Sequence, residues 1–193
     1  MRQFKGYERK EQVDFELLPK GAYVIKLLSV KEEHNTDKGT SWLKIAFDIA
    51  EGEYKDFYKK VFDGNTKEDK KWPNDAVLYI TCPTDNSEQW LIDNFNKFMT
   101  AVEDSNEGFH WNWDESILKD KLVGAKFYNE QSEYQNKIYD HTKAKWFINA
   151  QKVRDGKAGK LPQDKLISSG SGSSGSSPAN DGFKPISDEE IPF

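Results

Sequence analysis

The chain has 193 residues, 36% of them hydrophobic and 32% charged, with a formal net charge of −5 at pH 7. A single cysteine, Cys82, excludes an intrachain disulfide and fits a reducing compartment, where a buried free thiol is its expected state. The polar start Met1-Arg2-Gln3-Phe4-Lys5 lacks the apolar core of a secretion signal, and no apolar run approaches bilayer length, so a soluble cytosolic protein is expected.

Residues 1–20 read as an extended lead-in anchored by Phe15, Leu17 and Leu18. Gly21 opens a first strand over 22–31, apolar on both faces, and a charged loop follows over 32–40. The next strand alternates cleanly: Leu43, Ile45, Phe47 and Ile49 face a core, while Trp42, Lys44, Ala46 and Asp48 face away. After a turn at Gly52, a third strand is expected over 55–62, with aromatics and lysines on either face. A lysine-bearing loop with Lys67, Lys70, Lys71 and Trp72 leads to a short extra strand over 76–81.

Asp85 and Glu88 form an N-cap signal. Beyond them Leu91, Ile92, Phe95, Met99 and Val102 recur at helical spacing, which predicts an amphipathic helix to about Asp104 whose stripe is core. The loop Phe109-His110-Trp111-Asn112-Trp113 is aromatic, with the tryptophans suited to plugging one end of a barrel, and Asp114 caps one more turn through Leu118. Two strands finish the body, over 122–133 with a bend at Gly124, and over 144–153 after a turn at Gln135-Asn136-Lys137. Three strands, a helix, then two strands is the order of a mainly β, five-stranded OB-fold barrel with its helix between the third and fourth strands.

The segment 168–177 is Ser and Gly throughout, a composition that builds no core and predicts a flexible tether. It leads to Asp188-Glu189-Glu190-Ile191-Pro192-Phe193, where carboxylates precede an apolar hook stiffened by proline. A merely solvated tail has no reason to reserve its bulky apolar residues for the very end. Such a tip suits a receptor with an apolar slot and a basic rim. The expected organisation is a lead-in (1–20), an OB domain (21–160), a disordered linker (161–187) and an acidic tip (188–193).

This Gly/Ser linker with its acidic Ile-Pro-Phe end resembles the tail of bacterial and phage single-stranded DNA-binding proteins. Leu18-Pro19-Lys20-Gly21-Ala22-Tyr23 and Lys145-Trp146-Phe147 resemble a phage group within that family. The resemblance implies a protein that coats and protects single-stranded DNA during phage DNA replication, recombination and repair, in the cytoplasm of a bacterial host. It also implies that Asp188, Glu189, Glu190, Ile191, Pro192 and Phe193 recruit replication and recombination enzymes.

Single-strand binding needs cations along the phosphates and flat rings for the bases. Trp42 with Lys44, Tyr58 with Lys60, and Tyr134, Tyr139, Lys143 and Lys145 supply both at strands and loops that form the usual OB surface, with Trp72 as a peripheral contact. Trp146 and Phe47 are expected in the core. The net charge argues the other way. Four tail acids (Asp181, Asp188, Glu189, Glu190) against Lys184 account for −3 of it, and the remaining −2 is not basic. Charge is uneven, however: residues 84–116 hold eight acids and one lysine, whereas 119–160 hold ten bases and five acids.

His34, His110 and His141 are isolated, and no metal spacing, phosphate loop or nucleophile elbow appears. No enzyme activity, cofactor, metal or membrane partner is therefore expected. The rival reading is an OB-like protein-interaction adaptor without significant DNA affinity.

Overall fold

A computed structural model describes residues 16–36 and 39–167. The linker and acidic tip from 168 onward, Phe15 and the rest of the lead-in to residue 15 lie outside the described residues.

Five strands, β1 (Ala22–Asn35), β2 (Thr40–Ile49), β3 (Val77–Cys82), β4 (Leu122–Tyr134) and β5 (Lys137–Ile148), form one antiparallel sheet in the order β3-β2-β1-β4-β5. Among the described residues three helices accompany it: α1 (Phe57–Gly64), α2 (Gln89–Ser105) and α3 (Ala150–Arg154). The sheet is not closed, because β3 and β5 are its two edges. Short 3₁₀ turns at Asn74–Ala76 and Glu115–Leu118 complete the order, and Asp114 caps the second by accepting from the Ser116 amide at 2.9 Å.

The alternation in β2 does what its pattern requires. Leu43, Ile45, Phe47 and Ile49 are buried, opposite Ile25 and Leu27 of β1 and Leu78 and Ile80 of β3. Val123, Ala125 and Phe127 of β4 join them, and α2 lays Phe95, Phe98, Met99 and Val102 over the same core. Leu18 anchors the entry to the body, while its neighbour Leu17 is exposed. Among the described residues, no helix is long and apolar enough to cross a membrane.

Several expectations are corrected. The third strand is not at 55–62, where α1 stands instead; it is the short run Val77–Cys82. Within 55–62, Phe57, Tyr58, Val61 and Phe62 recur with a helical repeat and turn one stripe inward. The start of α1 is capped from afar: the Asp48 carboxylate on β2 accepts from the amides of Tyr58 (2.9 Å) and Lys59 (3.0 Å). Asp48 is accordingly buried rather than facing solvent. The α2 N-cap residue is Glu88, whose side chain makes no capping bond, and Asp85 takes no part in one.

At the far end β5 begins at Lys137 and gives way to α3, so 150–153 is helix rather than strand. Gly124 is not itself the bulge. The register slips between Lys126 and Phe127, and Gly124 makes room for Val153 of α3, whose Cγ2 lies 2.8 Å from where a Cβ would stand. β1 runs on to Asn35, through residues read as loop, because its polar end pairs with Thr40–Leu43.

Candidate nucleic-acid interface

The open side of the sheet is where side chains of binding character gather. A groove of about 360 Å³ runs between the edges of β3 and β5 across α2. Leu91, Phe95 and Phe98 of α2 line it with Ile80 and Phe147, while Trp90, Trp146, Lys97 and Lys145 supply rings and cations. Phe147 meets Phe98 edge to face at 4.9 Å, which fixes β5 against the helix and holds Trp146 on the opposite side of the strand. The Trp90 indole N–H donates to the Glu88 carboxylate.

Trp42 lies one strand away from this groove, on β2. It is the cross-strand neighbour of Thr81, which lines the groove, and Lys44 stands opposite Tyr79 with its Nζ 6.0 Å from the ring centre. One carboxylate organises the pair: Glu33 accepts from Trp42 Nε1 at 3.3 Å and lies 3.2 Å from Lys44 Nζ. Trp42 is half-buried.

The β4–β5 hairpin carries the other rim. Its register sets Lys126 opposite Trp146, Tyr128 opposite Lys143, Glu130 opposite His141, Ser132 opposite Tyr139 and Tyr134 opposite Lys137. With side chains alternating along a strand, this row shares one face. Tyr134 and Tyr139 are exposed at its far end, where Gln135 and Asn136 take the positive φ of a two-residue turn. Lys143 lies 3.1 Å from Glu130. Burial pushes the Glu130 carboxyl up, but hydrogen bonds from Lys143 and Tyr128 and the nearby Lys165 charge outweigh it and hold the group below the ordinary range.

The sequence-predicted residues therefore divide. Lys145 lines the groove, Trp42 and Lys44 stand one strand away on β2 opposite Thr81 and Tyr79, and Tyr134, Tyr139 and Lys143 line the hairpin face. Tyr58 does not belong: it is 3% exposed, inside the core on α1, edge to face with Phe47 at 5.6 Å. Burial, then the charges of Asp75 and Asp48, raises its phenol far above the ordinary range. Its predicted companion Lys60 is exposed on α1, outside both groups. Trp72 is spent structurally, donating to the Phe47 carbonyl at 3.2 Å and packing on Phe62 at 5.6 Å. The acidic tip residues lie outside the described residues.

Trp146, expected in the core, is instead 39% exposed with Lys126 Nζ 5.9 Å from its ring. Trp90 went unnoticed because one tryptophan near the start of a helical stripe carries no signal of exposure. Of the two loop tryptophans, Trp111 packs against the core, while Trp113 is 78% exposed and stacked on Phe95.

Catalytic geometry is nearly met at one place. His141 Nδ1 lies 3.0 Å from Asp75 Oδ1, and its other nitrogen lies 2.9 Å from Ser132 Oγ. Ser132, however, stands exposed on a regular strand, and the groove includes neither Ser132 nor His141. The contact ties the 3₁₀ turn before β3 to β5 across the open side of the sheet. Among the described residues no group of three or more His, Cys, Asp or Glu side chains is arranged to hold a metal. The Cys82 thiol is half-buried, and burial pushes its pKa up, away from a reactive thiolate.

No family model matches this chain, and no curated protein matches it. What the fold and site define is a class: a mainly β domain with an open five-stranded antiparallel sheet and an aromatic, lysine-bearing groove between its edge strands.

Proposed function

We propose that this protein is a phage-type single-stranded DNA-binding protein whose OB-like body holds unpaired bases and phosphates, while its acidic tip recruits enzymes of replication, recombination and repair. The observation that carries the reading is the groove between β3 and β5, with Trp90, Trp146, Lys97 and Lys145 on it. Rings give a sequence-tolerant platform, each stacked base contributing roughly 1–3 kcal/mol, and ammonium groups follow the backbone. The OB assignment draws on the sheet order β3-β2-β1-β4-β5, in which joining the two edges would close a five-stranded barrel, and on α2 lying between β3 and β4.

A fluorescence titration with labelled oligo(dT) at low salt, repeated at higher salt and beside an RNA control, tests this. Saturable binding that weakens steeply with salt is expected, and Trp146→Ala should weaken it by about one to two orders of magnitude if one base stacks there. No saturable binding removes the proposal.

One observation favours the adaptor instead. Glu33 already holds both Trp42 and Lys44, so a strand must displace this carboxylate to use them. An adaptor would capture partner proteins yet show no salt-sensitive affinity for DNA.

A further inference from the structure

Where the described chain ends, it adds to the sheet. Past Lys126, β4 no longer pairs with β1, and its exposed edge is taken by a short parallel bridge between Glu130 and Lys165. The Lys165 amide donates to the Asn129 carbonyl at 2.9 Å, and the Gln131 amide donates to the Lys165 carbonyl at 2.8 Å. Asp164 accepts from the Asn129 amide at 2.9 Å and pairs with Lys20 at 2.8 Å. Pro162 is fully buried just upstream, and the Ile167 amide donates to the Gln131 side chain at 3.1 Å. Backbone, proline and aspartate hold this strap in place, so the Lys165 side chain is not needed for anchorage.

What that side chain does instead is join a cluster. Lys165 Nζ lies 3.4 Å from Glu130 Oε1 and 5.4 Å from the centre of the Tyr128 ring. Lys143 Nζ lies 3.1 Å from the other oxygen of Glu130, and Lys145 Nζ lies 5.9 Å from the same ring. The Tyr128 hydroxyl donates to Glu130 at 3.1 Å, which fixes the ring on which the lysine stems converge. Lys143 and Lys165 share the single carboxylate of Glu130, so the pair leaves a local excess of positive charge beside Tyr128. It sits next along the face from Trp146 and Lys126, between the groove and the hairpin tyrosines.

We propose that Lys143, Lys145 and the strap residue Lys165 form a phosphate-binding station for the backbone of a single strand as it leaves the groove toward the hairpin tip. The inference rests on the nucleic-acid reading above and adds to it a residue at the root of the tail. Glu130 acts as the organiser, its two oxygens holding the Lys143 and Lys165 ammonium groups together.

Salt-dependent titration with oligo(dT) tests the station on the full-length protein. Lys165→Gln and Lys145→Gln should each weaken binding and lower the slope of log affinity against log salt by about 0.7, the value for one phosphate contact on a single strand. Lys165→Arg should restore the slope, and Lys55→Gln, on the exposed turn before α1, should leave the slope as in the wild type. Thermal melting run alongside reports whether the strap survives. Wild-type slopes in folded Lys165→Gln and Lys145→Gln proteins overturn the station while the nucleic-acid reading stands. A wild-type protein that binds no oligo(dT) overturns both.

Discussion

Tyr58 carries its hydroxyl into the interior, where it is buried with no hydrogen-bond partner among the described residues. A buried donor left unmatched costs about 1–3 kcal/mol, whereas the ring itself packs against Phe47 and Phe57. Tyr58→Phe keeps the ring and removes the stranded group. It should leave oligo(dT) affinity unchanged and keep or raise the melting temperature, with a gain in stability of up to about 1 kcal/mol. A drop in affinity with intact folding would return Tyr58 to the binding surface. Trp146 shows the opposite case, a ring that pattern alone sends inward but that the sheet turns out beside Lys126.

At the scale of elements, α1 shows why part of the fold was legible in the sequence and part was not. β2 and α2 could be read because their apolar residues keep one period over many residues and their core partners follow from that period alone. The stretch 55–62 is short enough to satisfy strand and helix patterns alike. What decides it is Asp48, at a sequence distance of ten and eleven from the amides it caps, a tertiary contact that no local signal carries. The extent of β1 and the swap of strand for helix after Ile148 are decided likewise by pairing with distant partners. The site was half legible for the same reason. Chemistry at Trp42, Lys44 and Lys145 could be read, but the groove between the edges of β3 and β5, to which Trp90 and Trp146 belong, could not.

The same carboxylate yields a prediction about the element it holds. Burial raises the Asp48 pKa, and the donors from Tyr58, Ile49 and Lys59 only partly offset that. A folded-state pKa above the unfolded value means that ionisation costs stability, so this group's contribution improves as pH falls through its raised pKa. Asp48→Ala strands all three amides and should cost about 2–4 kcal/mol in chemical denaturation. Asp48→Asn keeps one acceptor in place without charge and should cost clearly less. Equal losses for the two variants would show that charge, rather than acceptor geometry, holds α1 to β2.

At the scale of the whole molecule, one chain carries both an acidic segment and a lysine-bearing face. The tip bears Asp188, Glu189 and Glu190, and the described residues end at Ile167, bonded to Gln131 beside Glu130 on β4. Residues 168–193 number 26, and a Gly/Ser-rich chain of that length has an r.m.s. reach of roughly 25–30 Å. Tethering over such a span gives an effective concentration on the order of millimolar, enough for carboxylates to compete with phosphates for the same ammonium groups. Deleting the chain from Asp188 onward should therefore tighten oligo(dT) binding at low salt. The difference should shrink as salt screens both contacts. Neutralising Asp188, Glu189 and Glu190 to their amides, with Ile191-Pro192-Phe193 left in place, should reproduce most of the gain if charge drives the competition. Affinity that stays the same or falls on deletion would mean that the tip and the strand do not share the lysines of β4 and β5.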